Sequence, residues 1–203
     1  MKIFQSLSLV ACFTLLLAAL ASPAMADQRN QATKVTFNSP VEVPGTILPA
    51  GSYLFTVMPD DPARDVVQIW NVDHTKFYTT ALTVPDYRRK PAGQPVLMLQ
   101  KTGSGTPAAL QSWFYPGDNY GHDFVYPQSR AKELAQESGE PVPSMPDDVA
   151  ANGNRSSANS ASDASISAMR NARLKAERPG GEEVDVYEVI ATTPAQANTP
   201  YPR

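Results

Sequence analysis

Asp65–Val84 reads DVVQIWNVDHTKFYTTALTV, two runs rich in Val, Ile, Thr and aromatic residues on either side of Asp73-His74-Thr75. Such side chains favour a pleated, half-buried surface, and three polar residues between them mark a hairpin. Working outward, Ser52–Val57 alternates and puts Tyr53, Phe55 and Val57 on one face. Thr33–Phe37 and Val41–Val43 are shorter β runs, and Pro44-Gly45 and Leu48–Gly51 read as turns. On the other side, Val96–Lys101, Gln111–Tyr115 and His122–Tyr126 continue the pattern. The count reaches about seven or eight strands spaced by turn signals, which predicts a mainly β fold: an antiparallel β-sandwich or small barrel of about seven strands. One helix follows, over Ser129–Ser138, with Ser129 as its cap and Gly139 as its stop.

The composition changes at Gly139. Thirteen aromatic side chains, both tryptophans among them, lie between Asp27 and Gly139, against Tyr187 and Tyr201 beyond it. Burial of large side chains is what offsets chain entropy. The expectation is therefore a β-rich domain over 27–139 and a low-complexity, largely disordered tail over 140–203. Pro141, Pro143 and Pro146 open that tail as a spacer, and Asn152–Ser167 is mostly Ala, Ser and Asn. Asp163–Glu177 reads as one tail helix with a thin stripe of Ile166, Met169 and Leu174, and Val184–Ile190 alternates like a strand able to dock on a sheet edge.

The first 26 residues have another character. Met1-Lys2 is followed by an apolar run, Leu7–Leu20, and by Ala24-Met25-Ala26 before Asp27. A positive start, a short apolar core and small residues at −3 and −1 make a secretory signal peptide cleaved near Ala26. Leu9–Cys12 also suits a lipidation box, but only eleven residues precede Cys12 and the stronger apolar stretch follows it. The predicted location is periplasmic or extracellular, with no transmembrane segment.

The formal net charge of -3 argues against a nucleic-acid partner, which calls for a basic surplus. One cysteine and two histidines exclude a disulfide framework and a cysteine-rich zinc centre. A metal site would have to assemble from His74, His122, Asp73, Asp118 and Asp123. Neighbours on a strand point to opposite faces, so Asp73-His74 and Asp123-His122 do not each give two ligands. No G-x-S-x-G elbow, phosphate loop or dinucleotide fingerprint is present, and Asp60-Asp61 sits in a proline-flanked loop. No catalytic residues, metal or cofactor are assigned; a metal-dependent or other hydrolase is kept only as an alternative.

The densest feature is Trp113–Pro127, WFYPGDNYGHDFVYP, two aromatic strands around a turn. If one face of this hairpin meets solvent, Trp113, Tyr115 and Tyr120 can stack on sugar rings while Asp118, Asn119 and His122 reach hydroxyls. These six are the candidate ligand residues. Arg88-Arg89-Lys90 is the basic cluster, a solvated loop or a contact for an acidic polysaccharide or lipid headgroups.

Phe37–Val57 (FNSPVEVPGTILPAGSYLFTV), Val84–Arg88 (VPDYR) and Trp113–Pro127 together resemble a group of small exported bacterial proteins of unknown function. The resemblance implies export and a compact β domain, and it carries no activity or site residue. The functional expectation is an exported, non-enzymatic β-domain protein, a binding or envelope-associated module whose partner is an envelope polysaccharide or protein. Mass analysis of the exported form is expected to show Asp27 as its first residue; a lipid-bearing chain that begins at Cys12 would overturn the cleavage reading.

Overall fold

The computed structural model describes residues 32–58, 65–154 and 162–192. The expected signal segment 1–26, Cys12, Asp60-Asp61 and the last residues of the tail lie outside them. The fold is mainly β. Nine strands form one connected sheet: β1 (Ala32–Phe37), β2 (Val41–Val43), β3 (Thr46–Leu48), β4 (Gly51–Met58), β5 (Val66–Asn71), β6 (Phe77–Tyr87), β7 (Val96–Gln100), β8 (Ala108–Phe114) and β9 (Tyr120–Phe124). The spatial order is β1-β4-β5-β6-β9-β8-β2-β3, with β7 on the other edge of β8. The sheet does not close on itself, and its nine strands correct the expected count of about seven or eight. Thr46–Leu48, within a stretch read as turns, is the added strand β3, paired with β2.

β6 organises this sheet. Residues Phe77–Leu82 pair with β5, and residues Thr83–Tyr87 pair with β9. The Thr83 N–H donates to the Asp65 carbonyl beside β5, whereas the Leu82 carbonyl accepts from the Val125 N–H beyond β9. The two partners therefore lie on opposite edges of one strand, staggered along it. Pro85 shares the edge of Thr83 by the period of two, at a level beyond the start of β5, so its missing donor costs no ladder bond. The hairpin turn between β5 and β6 falls where predicted, with His74 in the left-handed region at φ 56.

The sheet separates two cores. On one face Phe55 meets Trp113 at 5.7 Å and Phe124 at 6.4 Å between ring centroids, both edge-to-face. On the other, Val66, Leu82, Val84 and Val125 pack against Met145, Ala150, Ile166, Met169 and Leu174. These last five come from the stretch predicted to be a disordered tail. That prediction is corrected for the described residues 142–154 and 162–192, which build three helices and three strands of a second, four-stranded sheet. The sheet comprises β10 (Tyr126–Pro127), β11 (Val142–Met145), β12 (Lys175–Glu177) and β13 (Glu183–Asp185), in that order. The aromatic count missed this core because it is wholly aliphatic.

α1 (Gln128–Ser138) starts one residue early, with Pro127 in the cap position, and stops at Gly139 with φ 77. Ser129 is not the cap; its N–H and hydroxyl both donate to Asp147 Oδ1 at the head of α2 (Asp147–Asn154). α3 (Asp163–Arg170) is capped by Ser162 and ends well short of Glu177, because Lys175–Glu177 is drawn into the ladder as β12. Val184–Ile190 splits in turn into β13, paired with β12, and α4 (Val186–Thr192). Met169 lies directly over Gly153, where any Cβ would collide, so α2 and α3 touch through a glycine. Among the described residues no helix is long and apolar enough to cross a membrane.

Each aliphatic side chain contributes about 1.5–3 kcal/mol when fully buried. Val66, Leu82, Val84 and Val125 together therefore draw roughly 6 kcal/mol from a cover supplied largely by the tail, on the scale of a whole domain's stability. Truncation after Gly139 is expected to abolish the cooperative thermal transition in circular dichroism; a melt unchanged from the full chain would show that the tail is dispensable.

Candidate functional site

The register of β6, β9 and β8 fixes which side chains share a face. Pro85 lies opposite His122, Tyr87 opposite Tyr120, and Trp113 opposite His122 on the far side. Tyr87, Tyr120, His122, Phe124 and Trp113 thus line the face of the aromatic core. Asp86, Arg88, Gly121, Asp123, Ser112 and Phe114 line the opposite face.

On the first face Trp113 has 0% exposure and His122 only 2%. Their rings stack at 5.2 Å. This corrects two of the six candidates: neither ring can stack on a ligand, because Phe55 and each other's planes cover them. His122 Nδ1 lies 3.3 Å from Asp65 Oδ2. The Tyr120 hydroxyl donates to the same oxygen at 3.1 Å, and Thr83 Oγ1 lies 3.4 Å from His122 Nδ1. Asp65 thus holds two aromatic residues of β9 from just before β5. Burial, followed by the Asp65 charge, pushes the Tyr120 hydroxyl well above the usual tyrosine range. The imidazole–carboxylate pair is a clamp within the sheet, aimed at its own neighbours.

The other four candidates sit nearer the surface. Tyr115 is half-buried against the aromatic core, Asp118 half-buried in the turn, and Asn119 exposed at the tip. The Asp118 N–H donates to the Tyr115 carbonyl, and the Gly117 N–H reaches Ala92 across the neighbouring loop. The Asn119 carbonyl accepts from the Arg88 N–H. The 88–95 loop and the PGDN turn are therefore laced together. Tyr120 is partly covered and meets Tyr87 edge-to-face at 5.7 Å. Tyr87 is 50% exposed. The basic cluster divides, with Arg88 buried over the Phe114 ring at 5.1 Å and Arg89 and Lys90 exposed.

Sequence reasoning missed Asp65, Tyr87 and Asp86. Tyr87 was legible only as the first aromatic of a basic loop; strand pairing alone sets it beside Tyr120. His74 stands apart at the β5–β6 turn, its ring 4.2 Å from that of Trp70. Among the described residues no three His, Cys, Asp or Glu side chains converge as metal ligands.

A separate open groove of about 720 Å³ lies between the β2–β3 hairpin and α1, lined by Val43, Ile47, Pro107, Pro127 and Arg130. Arg130 makes a two-bond ion pair with Glu42, both contacts at 2.8 Å, and reaches Glu133 as well. Its charge is thus spent inside the protein, and the Glu42 hydrogen bonds hold its guanidinium above the usual range.

No family model, curated protein or solved structure matches the chain.

With Trp113 wholly inside, Trp113→Ala is expected to cost about 3–5 kcal/mol of stability, read from denaturant unfolding. A variant as stable as the parent would contradict the buried position.

Proposed function

We propose that this chain is an exported, non-enzymatic β-domain protein, a binding or envelope-associated module that takes a polysaccharide at the Tyr87–Tyr120 end of the sheet. The observation that carries this reading is the edge-to-face tyrosine pair, with Tyr87 half exposed beside Asn119 at the hairpin tip. An aromatic ring offers a flat apolar surface for the C–H face of a sugar, and an adjacent amide reaches its hydroxyls. Arg89 and Lys90 follow Tyr87 directly and are exposed, which favours sugars bearing carboxylate or other anionic groups. The surface so defined replaces Trp113 and His122 by Tyr87, Arg89 and Lys90, and keeps Asn119 and Tyr120.

The sealed environment of His122 supports a structural part for the only histidine paired with a carboxylate among the described residues. It weighs against the hydrolase alternative. Likewise, the tail residues that cover the sheet are engaged in packing, which weighs against a free arm for capturing a protein partner.

Tyr87→Ala removes an exposed ring and is expected to leave the thermal melt within about 0.5 kcal/mol of the parent. Binding to an acidic polysaccharide such as alginate, followed by affinity electrophoresis, is expected to weaken at least about tenfold. Equal retention of parent and variant, or no retention of the parent by acidic or neutral glycans, would sink the proposal.

A further inference from the structure

The face of the sheet opposite the tyrosine pair holds two carboxyl groups that the binding surface does not use. Asp123 on β9 lies directly opposite Val84 on β6, and Asp86 lies two residues along β6 from Val84. The two aspartates are thus diagonal cross-strand neighbours on one face. Gly121, opposite Asp86, contributes no side chain, and the Phe114 ring occupies the place a Cβ would take. Arg88 lies over that ring and closes the end of the row. Asp86 Oδ2 and Asp123 Oδ1 are both buried without a hydrogen-bond partner.

The remaining contacts are few. Asp86 Oδ1 accepts the Tyr87 N–H at 2.7 Å, and the hydroxyl of Ser112, opposite Asp123 on β8, is buried without a hydrogen-bond partner of its own. The Phe124 N–H serves Asp123. The charged groups around the pair are Arg88, which favours ionised Asp86, and Glu140 at the head of the tail, which disfavours ionised Asp123. The buried Tyr126 hydroxyl also feels the Asp123 charge. Two adjacent carboxylates with one nearby cation and two unmet oxygens are poorly placed to carry two negative charges.

We propose that Asp86 and Asp123 are a proton-sharing carboxyl pair that closes the β6–β9 seam when at least one is protonated and loosens it when both ionise. This stands apart from the polysaccharide reading and depends on no ligand. Burial is the largest influence on both groups and raises both above the ordinary carboxylate range, Asp123 the further, and the Asp86 charge raises Asp123 more. The sign follows from linkage. A carboxyl that holds its proton more tightly when folded contributes stability in full below the unfolded value of about 4. That contribution is lost as pH climbs from there through the folded values. Mild acid therefore tightens the seam and neutral pH relaxes it, with the two protons leaving in steps that belong to the pair.

The test is a carboxyl-carbon NMR titration of the full chain with thermal melts at matched pH. One carboxyl of the pair is expected to keep its proton well above the ordinary carboxylate range. Asp123→Asn is expected to melt higher than the parent at pH 7.5 and to flatten the fall in Tm between pH 4.5 and 7.5. Asp86→Asn removes the same repulsion from the other strand, so it carries the test if the first variant does not fold. Two ordinary titrations near pH 4, with parent and variant losing Tm in parallel, would overturn the proposal.

Discussion

The fold depends on a layer of strand that is buried on both sides. From Thr79 to Val84 every residue of β6 is inaccessible, and β9 is nearly as enclosed. A half-exposed strand alternates, but one sandwiched between an aromatic and an aliphatic core cannot. Buried hydroxyls then look for partners within the protein, and two of the three on this stretch find one while Thr80 Oγ1 does not. Thr79 Oγ1 donates to the Pro44 carbonyl at 2.8 Å, and Thr83 Oγ1 to the Asp65 carbonyl at 2.9 Å. These hydroxyls tie the central strand to the β2–β3 turn and to the start of β5. The stagger of β5 and β9 on opposite edges of β6 then brings Phe55 over Trp113 and Phe124.

Much of this was legible in the sequence. Alternation in Ser52–Val57 gave the buried face of β4 correctly, with Tyr53, Phe55 and Val57 inside. The Asp73–Thr75 turn and the Gly139 stop were readable from local chemistry, since both rest on short-range geometry. The second core was not, for a physical reason. Its tail members are single Val, Met, Ile, Leu and Ala residues spread over Met145–Val186, too thin to show a stripe on any one element. They become a core only when collected on one face of a sheet that precedes them. Asp163–Glu177 illustrates the same point, for the helix holds to Arg170 and sheet pairing claims Lys175–Glu177.

The candidate site was half legible. The six candidates in Trp113–Pro127 depend on one hairpin face meeting solvent, yet strand register sends Trp113, His122 and Phe124 to the core and leaves the turn residues outside. What the sequence could not reveal was the partner strand. Tyr87 gains its meaning from facing Tyr120, and Asp86 from lying diagonal to Asp123. Both relations span more than thirty residues of chain. Asp65 belongs to the same class, because its carboxylate matters through two residues of β9.

Pro85 has a consequence for solubility. Past the beginning of β5, the outer edge of β6 would present backbone donors at residues 85 and 87, a template on which another chain could add a strand. Proline supplies no donor at the first, and the Asp86 carboxylate occupies the Tyr87 N–H at the second. The two positions able to recruit a foreign strand are both silenced. A protein whose proposed binding aromatics stand at a strand end thus gains a guard against edge-to-edge aggregation beside the surface it must keep open.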